Sequence, residues 1–145
     1  MPSSWVNPNS STYVDNNVKI IVPSNKQKRY LACAKAQAEK SNQRHRLGAV
    51  LVNSGRIIGK GYNQTGRDSF ARWEEVLWTV HAEIDALRFV HWEDLGFTMY
   101  LCRVNRRGEF RLSWPCEHCL RVLTESKIRR VFFTLNEDQV GELSL

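Results

Sequence analysis

Apolar residues in this chain recur at two spacings, and the switches between them outline its elements. From Lys26 to about Lys40, Tyr30, Ala34 and Ala38 repeat every four residues, which predicts one face of a helix. Ser24 or Asn25 supplies its N-cap. Leu47–Val52 is a continuous apolar run, followed by Asn53-Ser54-Gly55 and then Arg56–Gly61; this predicts a hairpin turning at Ser54-Gly55. Gly61-Tyr62-Asn63 opens a loop through Gly66-Arg67-Asp68, and Trp73–Trp78 reads as a short helix or a packed loop. A helix capped by Thr79 carries His81 to about Trp92, with Val80, Ile84, Leu87 and His91 inside. Phe97–Val104 reads as a strand, Asn105-Arg106-Arg107-Gly108 as a turn, and Glu109–Leu112 as a return strand. Pro115 suits the first turn of a helix from Cys116 to about Ser126, with Leu120 and Leu123 inward. Arg130–Leu135 is the last strand expected, and the short remainder of the chain has little room for another strand and a closing helix. The pattern by itself says α/β and no more.

The 145 residues suit one domain with one sizeable core, residues 26–145, preceded by a polar arm over residues 1–25. With 42% hydrophobic and 25% charged residues the chain reads as soluble and globular. No apolar run approaches the roughly 18 residues of a membrane span. The Asn-, Ser- and Pro-rich start does not read as a signal peptide. Cys116 and Cys119 stand at C-x-x-C spacing, which near a suitable His favours metal over disulfide. Cys33 and Cys102 read as reduced and buried, and a reducing, cytoplasmic setting is expected. The net charge is +6, with arginines at 103, 106, 107, 111, 121, 129 and 130. A solvated basic surface and attraction to phosphate both fit, and charge alone leaves open whether a nucleotide or a polynucleotide is drawn in.

His81-Ala82-Glu83 and Pro115-Cys116-Glu117-His118-Cys119 change the picture most. They supply one imidazole, two thiolates and a spare carboxylate. A hydrolytic zinc site needs three protein ligands, an open fourth position and a proton carrier that does not bind the metal. Cys116 and Cys119, three apart, share a helix face, and a helix N-terminus favours thiolate over thiol. Glu83, in the same first turn as His81, lies beside the ligands rather than among them. A closed structural zinc site takes four protein ligands, yet only one C-x-x-C is present. Cys102 would complete such a site only if its strand end reached it. Glu117 and His118 border the pocket as exposed first-turn residues, and Asp85 is positioned to orient a ligand or hold a neighbouring loop.

These two motifs, with the order of elements from about Leu47 to Thr134, resemble the zinc-dependent cytidine and deoxycytidylate deaminase superfamily, in its nucleotide and tRNA branch. The resemblance implies a three-layer α/β/α fold with a central mixed sheet. It implies zinc (Zn2+) on His81, Cys116 and Cys119, Glu83 as the catalytic proton carrier, and substrate contacts from Asn63 and Ala82. The implied reaction converts a cytosine nucleotide, such as dCMP, to its uracil form with release of ammonia, in a homo-oligomer. Deamination of a base in RNA or single-stranded DNA is the alternative. Arg67, Asp68, Trp73 and Trp78 fall where a substrate loop would be. Three departures surround the pocket: a hairpin-like stretch before Pro115, Trp114 where tRNA adenosine deaminases commonly place Glu, and Gln64-Thr65-Gly66 after Gly61-Tyr62-Asn63.

Overall fold

The structure, a computed structural model, describes residues 18–65, 79–88 and 96–145. The expectations for Arg67, Asp68, Trp73, Trp78, His91, Trp92 and residues 1–17 lie outside them.

The first helix, α1 (Asn25–Ala38), begins at Ser24. The Ser24 hydroxyl accepts from the Gln27 amide at 3.2 Å, and Gln27 Oε1 accepts from the Ser24 amide at 2.8 Å. This reciprocal box satisfies two backbone donors that a helix start leaves without partners. Strands β2 (Arg46–Asn53) and β3 (Arg56–Tyr62) form the expected hairpin. It turns through Ser54 and Gly55, both at positive φ (51° and 78°), the requirement of a two-residue turn whose twist matches its strands. The Tyr30 hydroxyl donates to the Gly55 carbonyl at 3.0 Å and ties the turn to α1.

Strands β4 (Gln64–Thr65) and β5 (Thr79–Val80) make a small separate pair. Thr79 therefore belongs to a strand, and His81 takes the N-cap of α2 (Ala82–Leu87). Then come β6 (Phe97–Val104), β7 (Phe110–Arg111), α3 (Glu117–Glu125), β8 (Ile128–Thr134) and β9 (Val140–Ser144). With β1 (Val18–Ile21) they build a sheet ordered β1-β9-β8-β6-β2-β3, with β7 also paired to β6. β6 and β8 run parallel and the remaining pairs antiparallel, so the sheet is mixed as expected.

Two expectations need correction. Residues 18–21 are not part of a polar arm but the strand β1, which among the described residues pairs to β9 alone. The stretch after Leu135 holds a full strand, β9. Val140-Gly141-Glu142-Leu143-Ser144 has little strand propensity of its own, and pairing to β8 on one side and β1 on the other supplies what its residues lack.

Alternation along the strands makes three layers. Ala49, Leu51, Phe97, Met99, Leu101, Val131 and Phe133 face one side, with Ala82, Ala86, Leu87 and Leu123 of α2 and α3. Val50, Val52, Tyr100, Cys102, Val104 and Phe132 face the other, with Leu31, Ala34 and Ala38 of α1. The site belongs to the α2/α3 side. None of the helices among the described residues is long and apolar enough to cross a membrane.

Candidate metal and catalytic site

Helix α2 reaches its position because β3 lacks side chains beneath it. A Cβ at Gly59 would overlap the Ala86 carbonyl, and one at Gly61 the Ala86 amide and the Ala82 carbonyl. Ala82 and Ala86, one turn apart, ride on these two glycines. The buried side of α2 is thus Ala82, Glu83, Ala86 and Leu87; of the Val80, Ile84, Leu87 and His91 face that apolar spacing suggests, Leu87 is buried, Val80 and Ile84 are half-buried, and His91 lies outside the described residues. The paired small residues Gly59/Gly61 and Ala82/Ala86 are the signal that would have given the correct rotation. Asp85 holds the same junction from the side: its Oδ2 accepts from the Tyr62 amide and from Gln64 Nε2, each at 3.2 Å.

The second helix start comes from the segment before α3. Pro115 lies just outside the helix, and Cys116 is its N-cap, with Sγ accepting from the Cys119 amide at 3.4 Å. The segment is anchored by Ser113, which sequence reasoning missed. Ser113 Oγ donates to the Leu101 carbonyl at 3.1 Å and lies 2.9 Å from Thr134 Oγ1; the Thr134 amide donates back to Ser113 Oγ at 2.8 Å. Both residues are buried, so this polar knot fixes the chain that delivers Cys116 to the ends of β6 and β8. Trp114 packs its ring edge-on against Phe133 at 5.0 Å, which accounts for an aromatic at that position.

The two helix starts converge. His81 makes no side-chain cap bond, and its Nδ1 lies 3.5 Å from Cys116 Sγ and 3.2 Å from Cys119 Sγ. The three donor atoms all fall within 4.8 Å of one another, the one such group among the described residues. A tetrahedral zinc with Zn–S near 2.3 Å and Zn–N near 2.0 Å spans an N···S edge of roughly 3.5 Å. The spacing of this donor set fits that ion.

The charge balance fits it too. Glu83 is 2% exposed, and burial pushes its carboxyl above the ordinary range. Burial, followed by the neighbouring Glu83 charge, pushes the Cys119 thiol up as well. At Cys119, burial and the neighbouring Glu83 oppose the thiolate that the helix start favours. A divalent cation between the sulfurs reverses that balance, because a coordinated thiol is deprotonated outright.

Cys102 is buried on the opposite face of β6, against α1, so alternation keeps it from the site. Glu117 and His118 are exposed. His81, Ala82, Glu83 and Cys116 open onto a cavity of about 270 Å³, which Asn63, His45 and Arg103 also line. A larger cavity, about 390 Å³, lies between the start of α1 and the β8–β9 turn and holds none of these groups. Asn63 is buried and already engaged: its Oδ1 accepts from the Leu47 amide at 2.8 Å and its Nδ2 donates to the His45 carbonyl at 2.6 Å. One amide N–H remains for a ligand.

Three donors drawn together, with a buried acid beside them that is not one of the three, are the set a hydrolytic zinc site needs, whereas a structural site takes four protein ligands. Set on a mixed sheet between helix layers, this arrangement defines the class of cytidine-deaminase-like hydrolases. The chain belongs to the cytidine and deoxycytidylate deaminase zinc-binding family, whose model matches residues 24–135. It is 26% identical over 144 residues to a probable deoxycytidylate deaminase of Caenorhabditis elegans, covering 88% of this chain and 68% of that one. It is 29% identical over 125 residues to the deoxycytidylate deaminase of Mycobacterium phage D29, covering 72% and 90%. Among solved structures it resembles the dCMP deaminase of cyanophage S-TIM5, with a TM-score of 0.57 at 20% identity, over 75% of this chain and 82% of that one.

Proposed function

We propose that the protein deaminates a cytosine nucleotide, most simply dCMP, by zinc-dependent hydrolysis: water and cytosine give uracil and ammonia. The observation that carries this reading is Glu83, buried at the wall of the cleft beside three metal-type donors and not counted among them. His81 Nδ1, Cys116 Sγ and Cys119 Sγ would hold the ion, and zinc held there would supply water activated at neutral pH. Glu83 is placed to accept one proton from the attacking water and pass it to the ring nitrogen, and then to pass a second, taken from the hydroxyl added to the ring carbon, to the leaving amine. A carboxyl whose proton affinity burial has raised suits a group that must both accept and return a proton. The buried Ala82 places main chain against the base, and Asn63 offers its remaining N–H to the sugar. The relatives in a worm and a phage, named a probable deoxycytidylate deaminase and a deoxycytidylate deaminase, support the nucleotide as substrate.

The alternative, a base within RNA or single-stranded DNA, draws support from a third cavity, of about 360 Å³, lined in part by Arg44, Arg46 and Arg106. The test is to incubate the protein with cytidine, CMP, dCMP and a short cytosine-containing single strand and measure uracil formation. Turnover of dCMP well above the strand is expected, and Glu83→Ala should keep zinc and fold while losing about 10²–10⁴-fold in rate. Undiminished turnover in that variant would assign the proton transfers elsewhere.

A further inference from the structure

Alternation along β6 carries a positive charge into the cleft. Phe97, Met99 and Leu101 face the α2/α3 core, and the next residue on that side, at the end of the strand, is Arg103. Its main chain is fixed, since its amide donates to Thr134 Oγ1, itself part of the Ser113 knot. The guanidinium ends against the His45 ring, Nη2 to Nδ1 at 2.7 Å, and both side chains line the cleft that holds Glu83. Among the described residues neither makes an ion pair with a carboxylate. Arg103 is also the one described arginine in this cleft. Arg46 is committed elsewhere, donating to the Asn105 carbonyl at 2.5 Å.

A guanidinium and an imidazole in contact, with no described acid paired to either, suit an anion. The Arg103 charge, then burial, then Arg44 hold His45 below its usual proton affinity. A dianion bound against this pair favours the charged imidazole and so offsets the effect of Arg103, and the flat guanidinium fork matches phosphate oxygens in pairs. We propose that Arg103 and His45 grip the 5′-phosphate of the nucleotide substrate and so set the preference for a monophosphate over a nucleoside. This rests on the cytosine-nucleotide reading above and adds to it the residues that select the phosphate.

The test compares kcat/KM for dCMP and deoxycytidine in the wild type, Arg103→Ala, Arg103→Lys and His45→Ala. In parallel, calorimetry measures binding of dUMP and deoxyuridine, which requires no turnover. The dCMP-to-deoxycytidine ratio should fall roughly 10- to 150-fold in Arg103→Ala, the range of a hydrogen bond to a charged group, and chiefly through KM. Lysine should restore part of it, since it keeps the charge and loses the fork. His45→Ala should lower the ratio less. An unchanged ratio, or equal losses on both substrates, overturns the proposal. If Arg103→Ala does not fold, Arg103→Lys and His45→Ala decide, and unchanged ratios in both overturn it. If the wild type deaminates neither compound, the functional reading fails on its own. The grip is then judged by whether dUMP binds tighter than deoxyuridine in an Arg103-dependent way, and equal binding refutes it. An oligonucleotide processed more efficiently than dCMP, with a steep salt dependence, also overturns the monophosphate assignment.

Discussion

Gly61→Ala tests whether the contact of α2 with β3 sets the catalytic geometry. The added methyl would overlap the backbone of Ala82 and Ala86 and approach Asp85 Cβ. Two of these are main-chain atoms of the helix that carries Glu83, so no rotamer change relieves the clash and α2 itself must shift. Overpacking of this kind costs about 1–3 kcal/mol. For a domain of this size, that lowers Tm by roughly 2–12 °C. A displacement of about 1 Å at a reacting group costs up to about 10²-fold in rate, so turnover should fall by far more than the fraction unfolded explains. Gly48→Ala is the matched control. Its methyl would overlap the Ala34 carbonyl and the Ala38 amide of α1, on the opposite face of the sheet. Thermal melts and kcat/KM for dCMP on both variants give the comparison. Similar Tm losses are expected, with a much larger activity loss in Gly61→Ala. Equal activity losses in the two variants, or a Gly61→Ala protein that melts and turns over like the wild type, would refute the argument.

Elemental analysis should find about one zinc per chain, and Cys116→Ala and Cys119→Ala should each lose most of it and unfold more readily, because metal binding and folding are coupled. Full retention in both would remove the ligand assignment. Burial pushes the Cys102 thiol up to about 12. Thiolate is the reactive form and would make up only about 10⁻⁴ of that thiol at pH 8, so Cys102 should stay unlabelled by a thiol reagent until the protein is unfolded. Rapid labelling of Cys102 in the native protein would contradict its placement against α1.

Much of this site is legible in one dimension. His81, Glu83, Cys116 and Cys119 stand out by residue type and short spacing, since ligand and proton-carrier chemistry admits few side chains, and the fold brings them to one cleft. The β2–β3 hairpin, α1 with its Ser24 cap and the central strand β6 are equally readable, because local periodicity and turn chemistry encode them. Other features depend on partners distant in the chain. Strands β1 and β9 exist because they pair, and their own residues do not announce it. The rotation of α2 is set by two glycines some twenty residues away, and Thr79 yields the cap to His81 because it is drawn into a strand with Thr65. Burial pushes the Cys119 thiol up, strand alternation turns Cys102 away from the site, and hydrogen bonds to backbone largely occupy Asn63. Only the fold brings Arg103 and His45, 58 positions apart, together at the cleft. Sequence by itself determined which chemistry the chain carries, because that depends on residue type at close range. Tertiary structure alone decided which groups face the cleft and with what charge, because desolvation and strand pairing act between segments that meet only on folding.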